Sequence, residues 1–266
     1  MAELTRRLRI TDIRAKKQRG ERIAMLTAYD ATMARLFEKA GIEILLVGDS
    51  LGMVVMGEET TLPVTLEAMI HHTRAVVRGA RRAVVVADMP FLSYQTCVAD
   101  AVRNAGRLVQ EGGAAAVKIE GGRPVIDVAR RLVEVGIPVM GHLGLIPQSV
   151  HQLGGFGRQA IGEREAAQLL EDAAILEQAG AFAIVLESIP PELARRVTES
   201  VSIPTIGIGA GPHCDGQVLV CYDVFGLYDK AVPPFVKLYA RLGEQLVEAA
   251  ARYAEDVRMG VYPTAK

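Results

Sequence analysis

IEILLVGD, residues 42–49, is apolar at nearly every position and then ends in Gly48-Asp49, with Ser50 next. A strand with one wet face alternates apolar and polar residues. A run that is apolar throughout belongs to a strand buried on both faces, which means a parallel sheet covered by helices. Seven further stretches repeat the pattern: IAMLTAYD (23–30), AVVVADMP (83–90), AAAVKIEG (114–121), IPVMGHLG (137–144), AFAIVLES (181–188), IPTIGIGA (203–210) and QVLVCYDV (217–224). Each core is about one strand long.

The segments between the runs read as helices. TLEAMIHHTRAVVRGA (65–80) has Thr65 as N-cap, Glu67 in the first turn and Gly79 at the end, with Leu66, Met69, Ile70, Val76 and Val77 at helical spacing. CVADAVRNAGRLVQEGG (97–113) and REAAQLLEDAAILEQAG (164–180) each carry one apolar face and close on glycine. The last segment, PPFVKLYARLGEQLVEAAARYAEDVRMG (233–260), predicts a long helix that starts after two prolines and runs to Gly260. The locally basic start, RRLRITDIRAKKQRGER (6–22), predicts a surface helix.

Eight strands alternating with helices predict an α/β fold, a (β/α)₈ TIM barrel. No linker or break in composition divides the chain, so a single domain over 1–266 is expected, with an N-terminal helical segment and a long C-terminal helix. The seventh and eighth runs lie too close for a full crossover helix, which keeps an open doubly wound sheet as the alternative.

Composition removes several function classes. Half of the 266 residues are apolar and the formal net charge is -1, with both signs spread along the chain. No basic block of the kind that tracks nucleic acid is present. No apolar run is long enough to span a membrane, and MAELTRRLR lacks the apolar core of a signal peptide. Cys97, Cys214 and Cys221 form no CxxC pair; a sparse, odd count fits a reducing cytoplasm. GIGAG (207–211) is not GxGxxG and reads as a tight strand-exit turn. His71-His72 read as ordinary helix histidines, and His213-Cys214 lack a partner pair at zinc-finger spacing.

Sites in such folds form at the carboxyl ends of the strands. Those ends carry Tyr29-Asp30, Asp49-Ser50, Asp88, Lys118 and Glu120, His142, Glu187-Ser188, the 207–211 turn and Asp223. Any one acid there can simply cap a helix or make a turn. Several on one rim repel unless they share a cation. Asp49, Asp88 and Glu120 are hard oxygen ligands suited to Mg²⁺, which keeps waters and leaves room for a substrate with two oxygens. Lys118, two residues before Glu120, shares its strand face. It can bind an anion, pair with an acid or form a Schiff base; the surrounding acids favour the charged, anion-binding form. Glu187 follows an apolar strand, a setting that raises a carboxylate's pKa toward that of a useful base; a rim salt bridge is the alternative.

TAYD (27–30), VGDSLGMV (47–54), ADMPF (87–91), AVKIEGG (116–122), PVMGHLGLIPQSV (138–150), VLES (185–188) and PTIGIGAGPHCDGQVLVCYDVFGL (204–227) together resemble the ketopantoate hydroxymethyltransferase family. The resemblance implies a Mg²⁺-dependent barrel of the phosphoenolpyruvate/pyruvate type. It implies transfer of the one-carbon unit of 5,10-methylenetetrahydrofolate to 3-methyl-2-oxobutanoate through a Mg-stabilised enolate, giving 2-dehydropantoate for pantothenate and coenzyme A. It places Asp49, Asp88 and Glu120 at the metal; Asp49, Ser50, Asp88, Lys118 and His142 at the keto acid; and Glu187 as the base. It also implies a homodecamer. Two stretches depart from the family pattern: GGFGRQAIG (154–162) in place of a GGYKVQG-like segment, and PHCDGQ (212–217). A Mg²⁺-dependent C–C or C–P lyase of the related pyruvate barrels would use the same acids without folate. A non-enzymatic barrel scaffold would be expected to lose the rim acids, and all are present.

Overall fold

Eight parallel strands, β1 to β8, close into a barrel in chain order in a computed structural model that describes residues 6–264. The strands are β1 (Ile23–Thr27), β2 (Ile44–Val47), β3 (Val84–Asp88), β4 (Ala116–Glu120), β5 (Val139–Gly144), β6 (Ala183–Glu187), β7 (Thr205–Ile208) and β8 (Gly216–Leu219). Helix α1 (Ile10–Gln18) precedes β1, and α2 (Ala31–Lys39) follows it. Then come α3 (Leu51–Val54) and α4 (Leu66–Gly79) after β2, α5 (Val98–Gln110) after β3, and α6 (Ile126–Glu134) after β4. After β5 lie α7 (Val150–Leu153) and α8 (Glu163–Gln178), and after β6 lies α9 (Pro191–Ser200).

Closure decides between barrel and open sheet. Short β7 enters an exit turn in which Gly209 and Gly211 adopt φ of 63° and 79°, and the chain returns directly as β8 without a crossover helix. Ile23 N–H donates to Asp215 O at 3.1 Å, joining the first strand to the segment that leads into β8. The strand-exit turn expected at 207–211 thus begins at Gly209, Gly207 and Ile208 being the last residues of β7.

The barrel interior is packed, as small barrels require. Ile23, Met25, Ile44, Leu46, Val84, Val86, Ala116, Met140, Ala183, Val185, Ile206 and Val218 belong to one buried cluster. Ile13 of α1 is fully buried in the same cluster, which explains the apolar residues in the otherwise basic N-terminal segment. Thr65 caps α4 as expected, its Oγ1 accepting from Ala68 N at 3.1 Å. Asp30 also proves to be a cap, accepting from Thr32 N and Met33 N at the start of α2.

The chain divides into two compact units, Met1–Val218 and Leu219–Lys266. Two expectations for the second unit need correction. The run 217–224 is not one strand: β8 ends at Leu219, and Cys221–Val224 form α10. A short apolar run alone does not separate a buried strand from a helical turn. Asp223 therefore lies in a helix and not at a strand end. The last helix, α11 (Leu242–Arg258), starts well after the two prolines. The backbone N–H groups of Tyr239, Leu242 and Gly243 donate to Val224, Phe225 and Gly226 carbonyls at 2.8–2.9 Å, and those bonds hold the preceding segment out of a helix. Among the described residues, no helix is long and apolar enough to cross a membrane.

Candidate active site

Side chains on one face of a strand recur every second residue. On β3 the interior series runs Val84, Val86, Asp88; on β4, Ala116, Lys118, Glu120; on β5, Met140, His142; on β6, Ala183, Val185, Glu187. Each series begins in the apolar cluster and ends in a polar side chain. Register carries these ends together: Asp88 pairs with Lys118, Glu120 with His142, and Glu187 with Gly144. On β2 the corresponding position is Gly48. A Cβ there would lie 2.7 Å from Ser50 Oγ and 3.5 Å from Asp88 Oδ2, so glycine leaves space for both polar groups. Asp49 and Ser50 follow in the turn that starts α3.

Asp49, Asp88, Lys118, Glu120 and His142 are only 3–5% exposed, so the charges lie inside the protein. Lys118 Nζ is 3.3 Å from Asp88 Oδ1, 3.7 Å from Glu120 Oε1 and 3.1 Å from His142 Nδ1. The other His142 nitrogen, Nε2, is 3.1 Å from Glu187 Oε2, although the ring N–H does not point along that line. An ammonium donates and never accepts, so in the neutral imidazole Nδ1 is the acceptor and the hydrogen sits on Nε2, the nitrogen 3.1 Å from Glu187 Oε2.

Three buried acids around one lysine titrate abnormally. Burial, reinforced by Asp88 and Glu120, pushes the Asp49 carboxyl well above the usual range. Burial also raises Asp88, against the pull of Lys118. Burial acts to raise Glu120 as well, but His142 and Lys118 outweigh it and hold this carboxyl low. Burial lowers the basicity of Lys118, and Asp88, Glu120 and Asp49 more than reverse that, so the ammonium stays charged. Burial and Lys118 lower His142, while Glu120 and Glu187 outweigh them and raise it.

Other residues of the cluster carry no strand-end signal in the sequence. Gln148, in a 3₁₀ turn (Pro147–Ser149) after β5, is buried and donates from Nε2 to Asp49 Oδ2 at 2.8 Å. Tyr94 OH donates to Gln148 Oε1 at 2.8 Å and accepts from Glu120 N at 3.0 Å. Burial, then Glu120, raises the Tyr94 hydroxyl well above its ordinary pKa, so it stays protonated. Tyr29 OH lies 2.9 Å from Ser50 Oγ, and the Tyr29 carbonyl meets His72 Nδ1 at 2.7 Å. His72 is thus a packing histidine. The departing loop also reaches the site: Gln159 N–H donates to Ser188 O at 2.8 Å, next to Glu187. Ser188 itself holds φ 49°, a strained value for a residue with a side chain.

The donor set suits a hard divalent cation. Asp88 Oδ1 and Glu120 Oε1 are buried without a hydrogen bond and face Lys118 Nζ at 3.3 and 3.7 Å. With Asp49 beside them, three carboxyl groups share that ammonium, and a divalent cation would balance the excess. Among the described residues, no three His, Cys, Asp or Glu side chains converge enough to hold an ion unaided. Mg²⁺, which takes one or two carboxylates and keeps several waters, fits such an arrangement.

The family model described as ketopantoate hydroxymethyltransferase matches residues 7–265. The chain belongs to the ketopantoate hydroxymethyltransferase family. It is an enzyme of the transferase class. It is 56% identical over 258 residues to a 3-methyl-2-oxobutanoate hydroxymethyltransferase of Syntrophus aciditrophicus, covering 97% of this chain and 95% of that one. It is 57% identical over 257 residues to the enzyme of the same name from Moorella thermoacetica, covering 97% and 96%. Among solved structures, 2,3-dimethylmalate lyase, a PEP mutase/isocitrate lyase superfamily member, aligns with a TM-score of 0.64 at 18% identity, covering 97% of this chain and 87% of that one. Phosphonopyruvate hydrolase in complex with oxalate and Mg²⁺ aligns with a TM-score of 0.62 at 13% identity, covering 95% and 88%. Ketopantoate hydroxymethyltransferases thus share their barrel fold with those enzymes.

Proposed function

We propose that the protein transfers the one-carbon unit of 5,10-methylenetetrahydrofolate to 3-methyl-2-oxobutanoate, giving 2-dehydropantoate on the route to pantothenate and coenzyme A. The observation that carries this reading is the buried layer of Asp49, Asp88, Lys118, Glu120 and His142 beside Glu187, in a chain whose relatives bear the name of that activity.

Asp49, Asp88 and Glu120 are the residues that would hold Mg²⁺, in part through the waters it keeps. When bound, Mg²⁺ supplies a Lewis acid that polarises the keto group and offsets negative charge on its oxygen. Lys118 adds a fixed positive potential beside the anionic substrate. Ser50, braced by Tyr29, offers the keto acid a hydroxyl donor. Glu187 removes the proton from C3. His142 flanks this base with Nε2 at 3.1 Å from Glu187 Oε2, while Lys118 holds the imidazole from the other side. The C3 carbon freed of its proton then attacks the methylene carbon of the folate donor. The new carbon–carbon bond forms as one carbon–nitrogen bond of the donor breaks, and that nitrogen takes up the proton from Glu187. Water then displaces the second nitrogen, leaving its hydroxyl on the transferred carbon and its other hydrogen on the released tetrahydrofolate. A lyase built on the same acids needs no folate, so donor dependence separates the two readings. The free cysteines Cys97, Cys214 and Cys221 support a reducing, cytoplasmic location, and the family resemblance supports a homodecamer.

Exchange of the C3 hydrogen of 3-methyl-2-oxobutanoate in deuterated water, followed by NMR with Mg²⁺ present, tests the assignment of the base. Glu187→Gln keeps keto-acid binding and slows exchange about 10²–10⁴-fold, the usual contribution of a positioned base. Undiminished exchange removes Glu187 from that role.

A further inference from the structure

Gln148 links Asp49, Glu120 and Tyr94 through its backbone N–H and its side-chain amide. Its backbone N–H donates to Glu120 Oε2 at 3.0 Å. Its Nε2 donates to Asp49 Oδ2 at 2.8 Å and to the Met89 carbonyl at 2.9 Å. Its Oε1 accepts from Tyr94 OH at 2.8 Å and Gln95 Nε2 at 2.9 Å. The amide has one workable orientation. Flipped, its oxygen would face a carboxylate and a carbonyl, while its NH₂ would face the NH₂ of Gln95.

The pattern of tied and untied oxygens gives these contacts a function. Asp88 Oδ2 accepts from Asp49 N at 3.1 Å, which leaves Asp88 Oδ1 without a hydrogen bond, 3.3 Å from the Lys118 ammonium. Glu120 Oε2 is tied to Gln148 N, which leaves Glu120 Oε1 without a hydrogen bond, 3.7 Å from Lys118 Nζ and 3.4 Å from His142 Nδ1. Asp49 is tied at Oδ2 to the Gln148 amide. Two of the three acids therefore take one of their hydrogen bonds from the same residue, on elements far apart in sequence. A neutral donor between two carboxylates also lessens their mutual repulsion without adding a charge that a metal would have to displace.

We propose that Gln148 is a positioning residue that orients Asp49 and Glu120 to receive a divalent cation, with Tyr94 and Gln95 fixing its amide. The inference rests on the reading that these acids hold the metal. Outer-shell partners of metal-ligating carboxylates typically alter metal affinity about 10–100-fold when replaced.

The test is Mn²⁺ titration, read from the electron paramagnetic resonance of the free ion, on the full-length wild type, Gln148→Met, Tyr94→Phe and Asp88→Asn. The melting temperature of each metal-free protein is read alongside. Wild type binds Mn²⁺ and Asp88→Asn does not. Gln148→Met, close in size and without the amide, weakens binding about 10–100-fold. Tyr94→Phe, which removes one of the two donors that lock the amide, weakens it about fivefold, the worth of a single hydrogen bond. In turnover, the loss in Gln148→Met is recovered by raising Mg²⁺, so it falls on the metal requirement and not on kcat. A wild type that binds Mn²⁺ no better than Asp88→Asn overturns the metal reading and this inference with it. Wild-type affinity in folded Gln148→Met overturns this inference alone, as does a lowered melting temperature with unchanged affinity. Should Gln148→Met fail to fold, Tyr94→Phe decides on the same terms.

Discussion

Replacing Lys118 by methionine removes the one ammonium lodged among Asp49, Asp88 and Glu120 while filling most of its volume. At an effective dielectric of about 20, its charge at 3.3 Å from Asp88 and 3.7 Å from Glu120 attracts each with roughly 4–5 kcal/mol. Desolvating the ammonium offsets much of that gain. What remains decisive is that truncating one partner strands the others: breaking a buried ion pair lowers stability by about 3–5 kcal/mol. For a chain of this length, roughly 2–4 °C per kcal/mol converts this into a melting temperature lowered by about 6–20 °C. The deficit depends on pH in a defined direction. Burial already raises Asp49 and Asp88, and losing Lys118 raises Asp88 further. An acid whose folded pKa lies above its unfolded value of about 4 is at full stability below that value and loses stability as pH rises through the folded pKa. The gap between wild type and Lys118→Met is therefore widest near pH 8 and narrows toward pH 5. Differential scanning calorimetry across that range, with chelator present so that no metal replaces the lysine, measures it. A variant as stable as wild type at pH 8, or a gap that widens toward pH 5, would refute the reasoning.

Tyr29→Phe removes the contact to Ser50 Oγ, worth about 1 kcal/mol, and weakens keto-acid binding about fivefold by calorimetric titration with little change in fold stability. Unchanged affinity would free Ser50 from its assigned contact. Far from the site, Glu38 accepts from the backbone N–H groups of Arg81, Arg82 and Ala83, tying α2 to the entry of β3. Burial raises its carboxyl, and those three donors outweigh burial and leave it below the ordinary value. Its depressed folded pKa means that the stability it contributes is present above about pH 4.5 and lost as pH falls through the folded value. Glu38→Ala lowers the urea midpoint at pH 7 by an amount equivalent to about 1–3 kcal/mol, and the difference shrinks in acid. A difference that persists at pH 3 would show that the carboxylate charge is not what matters there.

The strand ends were legible because two periodicities coincide there. Buried parallel strands carry apolar residues on both faces, so Val84–Asp88 and Ala183–Glu187 stand out as runs. The same two-residue period that places Val86 and Val185 in the core carries Asp88 and Glu187 onto the polar layer above it. Gln148 and Tyr94 were not legible on those terms. They reach the site from loops, whose direction depends on what the loop packs against and not on a periodic signal. QVLVCYDV misled for a related reason: its apolar residues serve a strand up to Leu219 and a helical turn from Cys221. The segment after Pro233-Pro234 has the spacing of a helix, but its backbone donors find carbonyls at 224–226 instead, a tertiary choice that no local pattern encodes.

The most direct measurement is formation of 2-dehydropantoate from 3-methyl-2-oxobutanoate and 5,10-methylenetetrahydrofolate, with Mg²⁺, with chelator, and with the folate donor omitted. Product in the complete mixture, lost on chelation and on omission of the donor, is the predicted result. No product with any divalent metal, or consumption of the keto acid that proceeds equally without folate, would contradict it.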